Sequence, residues 1–133
     1  MPPAGAADRE RRLTAAGRAA FAQLAGSLGP SLGLRRILTS PFARGRETAL
    51  LLGAATGAPV EDLEGLASGR SGGARVLELA REAGDGAALV GHNPEIAEAL
   101  SIAAGEPQQV PPGTVAAVED TGGGYRLLWV RHP

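Results

Sequence analysis

Ile37-Leu38-Thr39-Ser40-Pro41-Phe42-Ala43-Arg44 is the stretch from which the rest of the chain is read. A short apolar run suited to a strand stops at a Ser-Pro corner. Proline fixes φ at a value suited to a first helical turn, and Ser40 can cap it. A helix is expected to about Ala55, with Leu51 and Leu52 on its inner face and Gly57 as its stop. The pattern returns at Ala87-Ala88-Leu89-Val90, where Gly91-His92-Asn93-Pro94 turns into a helix over about 95–104. Two strands that each run directly into a helix are the repeating unit of a parallel α/β sheet.

Working outward, residues 1–8 read as a loop and Asp8-Arg9-Glu10-Arg11-Arg12 as a charged, solvated run. From Thr14, a plausible N-cap, Leu13, Phe21, Leu24 and Leu28 recur at helical spacing, and Gly29-Pro30 is expected to stop that helix. A minor strand is expected over 59–63, and a glycine-rich loop from Ser68 to Gly73 leads to a helix over 74–83. A proline-rich loop, Pro107 to Gly113, precedes strand 114–119; a turn at Thr121 to Gly124 and strand 125–131 complete a hairpin. The expectation is one α/β domain over 1–133: a three-layer αβα sandwich with a mostly parallel central sheet and a C-terminal antiparallel hairpin.

Composition narrows the function classes. The 133 residues fit one core, with 44% hydrophobic residues and a mean hydropathy of −0.01. No apolar run approaches the roughly 18 residues a membrane span needs, and the start lacks a secretory pattern, so a cytoplasmic protein is expected. There are no cysteines, which removes thiol nucleophiles, disulfides and thiolate-held metals. A net charge of −1 and 3% aromatics argue against nucleic acid and anionic membranes as partners. All 13 basic residues are arginine, for which genomic base composition is the plain explanation. The histidines are His92 and His132.

In open α/β sheets, ligands bind beyond the carboxyl ends of the strands. Arg44 lies in a first helical turn, where free N–H groups favour anions, and His92 stands at a strand-to-helix corner. Ser40 and Asn93 flank them as candidate phosphate-binding groups. Alone, each reads as well as a surface arginine or a locally bonded histidine. At corresponding ends of two parallel strands, they point to one anion site.

Three motifs carry a family resemblance. Ser40-Pro41-x-x-Arg44-x-x-x-Thr48-Ala49 resembles the SPxxRAxxTA segment of the histidine phosphatase superfamily, and Gly91-His92-Asn93-Pro94 resembles the segment bearing its second histidine. Asp8-Arg9-x-Arg11-x-Leu13-Thr14-x-x-Gly17 is similar to the DRxRxLTxxG of bacterial SixA-type phosphohistidine phosphatases. The resemblance implies hydrolysis in two steps. A first histidine, in an Arg-His-Gly triplet ending the first strand, takes the phosphoryl group, and water then releases it. Arg44 matches the family's second arginine and His92 its second histidine; Arg46 matches nothing. Glu64 lies near where related mutases place their acid. No metal or cofactor is implied. The implied partner is a phosphohistidine-bearing protein or a small phosphorylated substrate.

The sequence begins after the position of that first strand. Leu127-Leu128-Trp129-Val130 is continuously apolar and ends in Arg131-His132. Three readings stay open: a circular permutation with Arg131 and His132 as the catalytic pair, a chain whose first strand is lost, or a non-catalytic module that binds phosphate or phosphoprotein. The permutation makes a sharp expectation. Strand 125–131 should fill the central place in the sheet, with His132 facing His92.

Overall fold

The computed structural model describes residues 9–133, so the loop expected over residues 1–8, and Asp8 of the opening motif, lie outside it. Thr14 caps the first helix as expected, its Oγ1 accepting from the Gly17 N–H at 3.0 Å. That helix, α1 (Ala15–Leu32), runs through Gly29-Pro30 rather than stopping there. Pro30 removes one backbone hydrogen bond, but continuing the helix packs Leu32 against the core. Gly29 serves packing instead: a Cβ there would meet the Ala55 carbonyl oxygen at 2.7 Å. Gly33, at φ 61°, ends the helix in a left-handed conformation that glycine adopts without strain.

The remaining elements are β1 (Arg36–Thr39), α2 (Ala43–Thr56), β2 (Val60–Asp62), a 3₁₀ turn (Glu64–Leu66), α3 (Gly73–Ala83), β3 (Ala87–Val90), α4 (Glu95–Ala104), β4 (Val115–Asp120) and β5 (Tyr125–Arg131). β2, β1 and β3 form a parallel sheet in that order, with β1 in the middle. Successive strand side chains point to opposite faces, and the core divides accordingly. Ile37 joins Phe21 and Ala25 of α1 and Ala49 and Leu52 of α2. Leu38 joins Val76, Leu77 and Leu79 of α3 and Ala99 of α4. One helix pair therefore covers each face, which is the expected αβα layering.

β4 and β5 form a separate antiparallel hairpin with a bulge between Ala117 and Val118. Two contacts set its direction. Asn93, just beyond β3, bonds Val110, and Arg81, near the end of α3, bonds Asp120. β4 thus runs antiparallel to β3. Among the described residues no ladder joins these two strands. A cleft of about 740 Å³ lies between them, lined by Ala87 to Val90 on one side and Val115 to Val118 on the other.

The expected central position of strand 125–131 is therefore corrected. β5 pairs with β4 alone, and β4 presents its other edge to the cleft. The burial of β5 alternates, Leu128 is 51% exposed, and residues 131–133 are exposed. The physical reason lies in the helices. α4 packs along β5, Tyr125 joins the α3/α4 core, and Arg81 stacks 4.6 Å over the Tyr125 ring. These contacts hold β5 outside β4.

Candidate functional site

β1 ends in two residues with no solvent exposure, Thr39 and Ser40. The Ser40 backbone N–H reaches the Val90 carbonyl at 2.9 Å, which aligns the ends of β1 and β3. Its hydroxyl accepts from the Phe42 N–H at 3.1 Å, so the Ser-Pro corner is closed by its own side chain before α2 begins. Gly45 lies close beneath: a Cβ there would approach the Ser40 Cβ to 3.2 Å. Here the lack of a side chain lets the first turn of α2 lie against the corner.

His92, only 7% exposed, completes the arrangement. Its Nε2 lies 2.7 Å from Ser40 Oγ. The hydroxyl already accepts one hydrogen bond, so it can donate to a neutral Nε2 or accept from Nε2–H on its remaining lone pair. Either way this buried contact helps to orient the ring. The imidazole also packs on Phe42, with centroids 5.1 Å apart and planes tilted by 44°. The guanidinium groups of Arg44 and Arg9 lie 5.8 and 4.9 Å from the Phe42 ring centroid. Two cations and an imidazole thus gather around one buried phenyl ring. Arg44, His92 and Asn93 line the cleft at the carboxyl end of β3. Nearby, Glu47 holds the entry to α1, accepting from the Leu13 N–H at 3.0 Å and pairing with Arg18.

Sequence reasoning brings Arg44, Ser40 and His92 together, and the structure does the same. Ser40 and Asn93 use their side chains within the protein. Asn93 donates to the Val110 carbonyl at 2.6 Å and accepts from the Ala97 N–H at 3.2 Å. Both residues therefore position the corners. Arg46 pairs with Asp62 at 3.3 Å on the surface, apart from the Phe42 cluster, and Glu64 is exposed. Arg131 stacks over Trp129 at 5.5 Å, and the exposed His132 has its Nδ1 3.0 Å from Thr114 Oγ1. They lie at the same end of the molecule as His92, because Val115 pairs with Arg131, but neither lines the cleft. Phe42 and the stacking of Arg9 were not read from the sequence. An aromatic residue just before the first turn that carries Arg44 was the available signal.

In chemical terms, a helix N-terminus, a guanidinium and a fixed imidazole suit the charged oxygens of a phosphoryl group. They supply electrostatic grip for such a group. Among the described residues, no cluster of three or more metal-ligating side chains occurs and no helix is long and apolar enough to cross a membrane.

No curated protein matches this chain. Solved structures do. A structure from Agrobacterium tumefaciens, assigned as a phosphohistidine phosphatase SixA, aligns with a TM-score of 0.81 and 24% identity over 100% of this chain and 91% of its own. The protein histidine phosphatase SixA complexed with tungstate aligns at 0.79 and 23% identity, covering 98% of this chain and 88% of its own. A structure from Nakamurella multipartitia, also assigned as SixA, aligns at 0.72 and 27% identity over 95% and 87%. These likenesses establish the shared fold. The sequence profile of the histidine phosphatase superfamily (branch 1) matches residues 5–82, more than half of the chain. This chain belongs to the histidine phosphatase superfamily, branch 1.

Proposed function

We propose that this chain is the phosphate-gripping body of a phosphohistidine phosphatase. Arg44 and His92 hold the oxygens of a phosphoryl group at the carboxyl ends of β1 and β3. A histidine nitrogen attacks phosphorus as the P–N bond of the substrate breaks, and the departing imidazole takes up a proton. Water then attacks the phosphohistidine of the enzyme, releasing inorganic phosphate and restoring the imidazole. Charge spreads over the equatorial oxygens during both steps, and positioned cations stabilise it. The substrate class is a phosphohistidine-bearing protein or a small phosphorylated molecule. The observation that carries the reading is that His92, held by a buried 2.7 Å contact with Ser40, lines one cleft with Arg44.

A second reading has its own support. His132 lies outside β4, so among the described residues His92 is the single histidine on the cleft. By itself the chain then binds a phosphoryl group without turning it over. One experiment separates the readings: incubation with phosphoramidate, trapping of any phosphoenzyme at alkaline pH, and mapping of the modified residue. An adduct on His132 makes Arg131 and His132 the catalytic pair after a rearrangement of β5. No adduct, together with measurable binding of tungstate, supports the binding module.

A further inference from the structure

The glycine-rich loop between the 3₁₀ turn and α3 is pinned at both ends and in the middle. Leu66 and Ala67 are buried at its start, and the Leu66 carbonyl oxygen lies 3.8 Å from where a Cβ on Gly91 would stand. At its far end, Gly73 lies against the α4 backbone at Glu98 and Ala99. Between them the Arg70 N–H bonds the Ala67 carbonyl at 3.0 Å, in a tight turn that Gly69 allows by taking φ 80°. Glu95 holds this turn: its Oε1 accepts from the Gly69 N–H at 2.6 Å. Glu95 is only 9% exposed, and among the described residues its Oε2 has no hydrogen-bond partner. A carboxylate taken out of water is costly unless it is well paired, and the N-terminus of α4 offsets part of that cost. Within the fold, this buried acid does one thing, which is to latch the loop.

What the latch presents is Arg70. From Arg18 onward, every other arginine among the described residues bonds a neighbour or stacks on a ring. Arg70 is exposed and, among the described residues, does neither. Its place is beside the candidate site. Glu95 shares a helical turn with His92, whose carbonyl accepts from the Ile96 N–H at 2.9 Å. Arg70, next to the tethered Gly69, therefore stands at the carboxyl end of β3, on the α3/α4 side of His92. Glu95 is not part of the cleft wall, so it acts on the site through the loop. A loop already latched spares most of the ordering cost that a mobile arginine would incur on binding.

We propose that Arg70 is a specificity residue and Glu95 its positioning residue: the latched guanidinium holds an acidic side chain of a partner protein beside the phosphorylated histidine that Arg44 and His92 grip. The phosphohistidine rests on the function proposed above; the acid-binding arginine and its latch do not. The partner that fits is a protein with Asp or Glu next to its phosphorylated histidine, because a guanidinium pairs with a planar carboxylate through two parallel hydrogen bonds.

The test uses the full chain and two synthetic peptides that carry a non-hydrolysable phosphonate analogue of phosphohistidine, flanked by Glu in one and by Gln in the other. The Glu peptide should bind about fivefold tighter, the upper end for an exposed ion pair, and the gap should close as salt rises. Arg70→Gln should erase the gap. Glu95→Ala should narrow it and speed amide exchange at Gly69, whereas Glu95→Gln, whose amide oxygen still accepts from Gly69, should restore both. Equal affinity of the wild type for the two peptides, or a gap that survives Arg70→Gln, would overturn the proposal. A gap that survives Glu95→Ala would remove Glu95 from it. Tungstate binding separates this inference from the reading it rests on. If tungstate binds and the peptides bind equally, the phosphoryl site stands and the role of Arg70 fails. If tungstate does not bind, and an Arg70-dependent preference for the Glu peptide persists without the phosphonate, Arg70 stands and the phosphohistidine reading fails.

Discussion

His92 Nε2 lies 2.7 Å from Ser40 Oγ, a contact between residues 52 apart in sequence that locks the ends of β1 and β3 together. The same oxygen closes the corner before α2 by accepting from the Phe42 N–H. One hydroxyl thus sets both the imidazole and the turn that leads to Arg44. Substituting Ser40→Ala leaves the Phe42 N–H buried without that acceptor, which costs about 1–3 kcal/mol. The variant should lose that much stability in urea unfolding. It should also bind tungstate more weakly, by roughly tenfold for a lost interaction of about 1.4 kcal/mol, because the ring loses its contact with the Ser40 hydroxyl. Unchanged tungstate affinity in a folded variant would show that His92 needs no help from Ser40.

Arg44 and Arg46 are two residues apart, yet they do different things. Arg44 lies beside Phe42 and lines the cleft, whereas Arg46 pairs with Asp62 on the surface. A hydrogen bond to a charged group contributes about 1.5–3 kcal/mol. Arg44→Ala should therefore weaken tungstate binding by roughly ten- to a hundredfold. Arg46→Ala should change it less than about twofold, because an exposed ion pair contributes about 0–1 kcal/mol. Titration of both variants at one ionic strength decides it, and equal losses would move the anion site away from the α2 N-terminus.

The part of the fold that is local was legible in the sequence. Strands ending at Ser40-Pro41 and Gly91-His92 and helices with apolar stripes formed as expected, because each is fixed by near neighbours. Gly29-Pro30 was misjudged, since the gain from packing Leu32 and from the close approach to Ala55 is tertiary. The antiparallel hairpin formed as expected, but the central place expected for strand 125–131 did not, for a related reason. A continuous Leu127 to Val130 run suits a central strand, but the side of β4 that β5 takes depends on α4 and Arg81. At the site, Arg44, Ser40 and His92 were readable from their strand ends. Phe42 and Arg9 were not, because their proximity arises only once the chain has folded.

Gly73 begins α3 against the backbone of α4. A Cβ there would lie 2.5 Å from the Ala99 nitrogen and 2.6 Å from the Glu98 carbonyl carbon. Neither atom can swing aside as a flexible side chain could, so Gly73→Ala must push the two helices apart. Overpacking of this kind costs typically about 1–3 kcal/mol. Since α4 starts just after His92, the displacement should also reach the site. Urea unfolding should show the loss, whereas Gly72→Ala, where an added Cβ meets nothing within 4 Å, should cost less.

The hairpin is fastened to α3 by an acid-sensitive link. Arg81 Nε and Nη2 reach the two carboxylate oxygens of Asp120 at 2.9 and 3.0 Å, and the Gly122 N–H bonds the same carboxylate. The Arg81 hydrogen bonds, then the Gly122 N–H, hold the Asp120 carboxyl below its ordinary value, and burial only partly opposes them. Arg81 is pushed upward by the same pair and stays charged throughout. A carboxyl lowered by folding contributes stability above its unfolded pKa of about 4. That contribution fades as pH falls through the lower folded value. Below pH 4, then, amide exchange in the 120–125 turn should accelerate beyond its intrinsic pH dependence, by a few-fold because the pair is about 40% exposed and screened by water. Asp120→Asn should loosen the turn at neutral pH to a similar extent and remove the extra acid response. If wild type and variant show the same exchange profile from pH 3 to 7, the hairpin is held by Tyr125 and Val118 in the core, and the ion pair contributes nothing to its position.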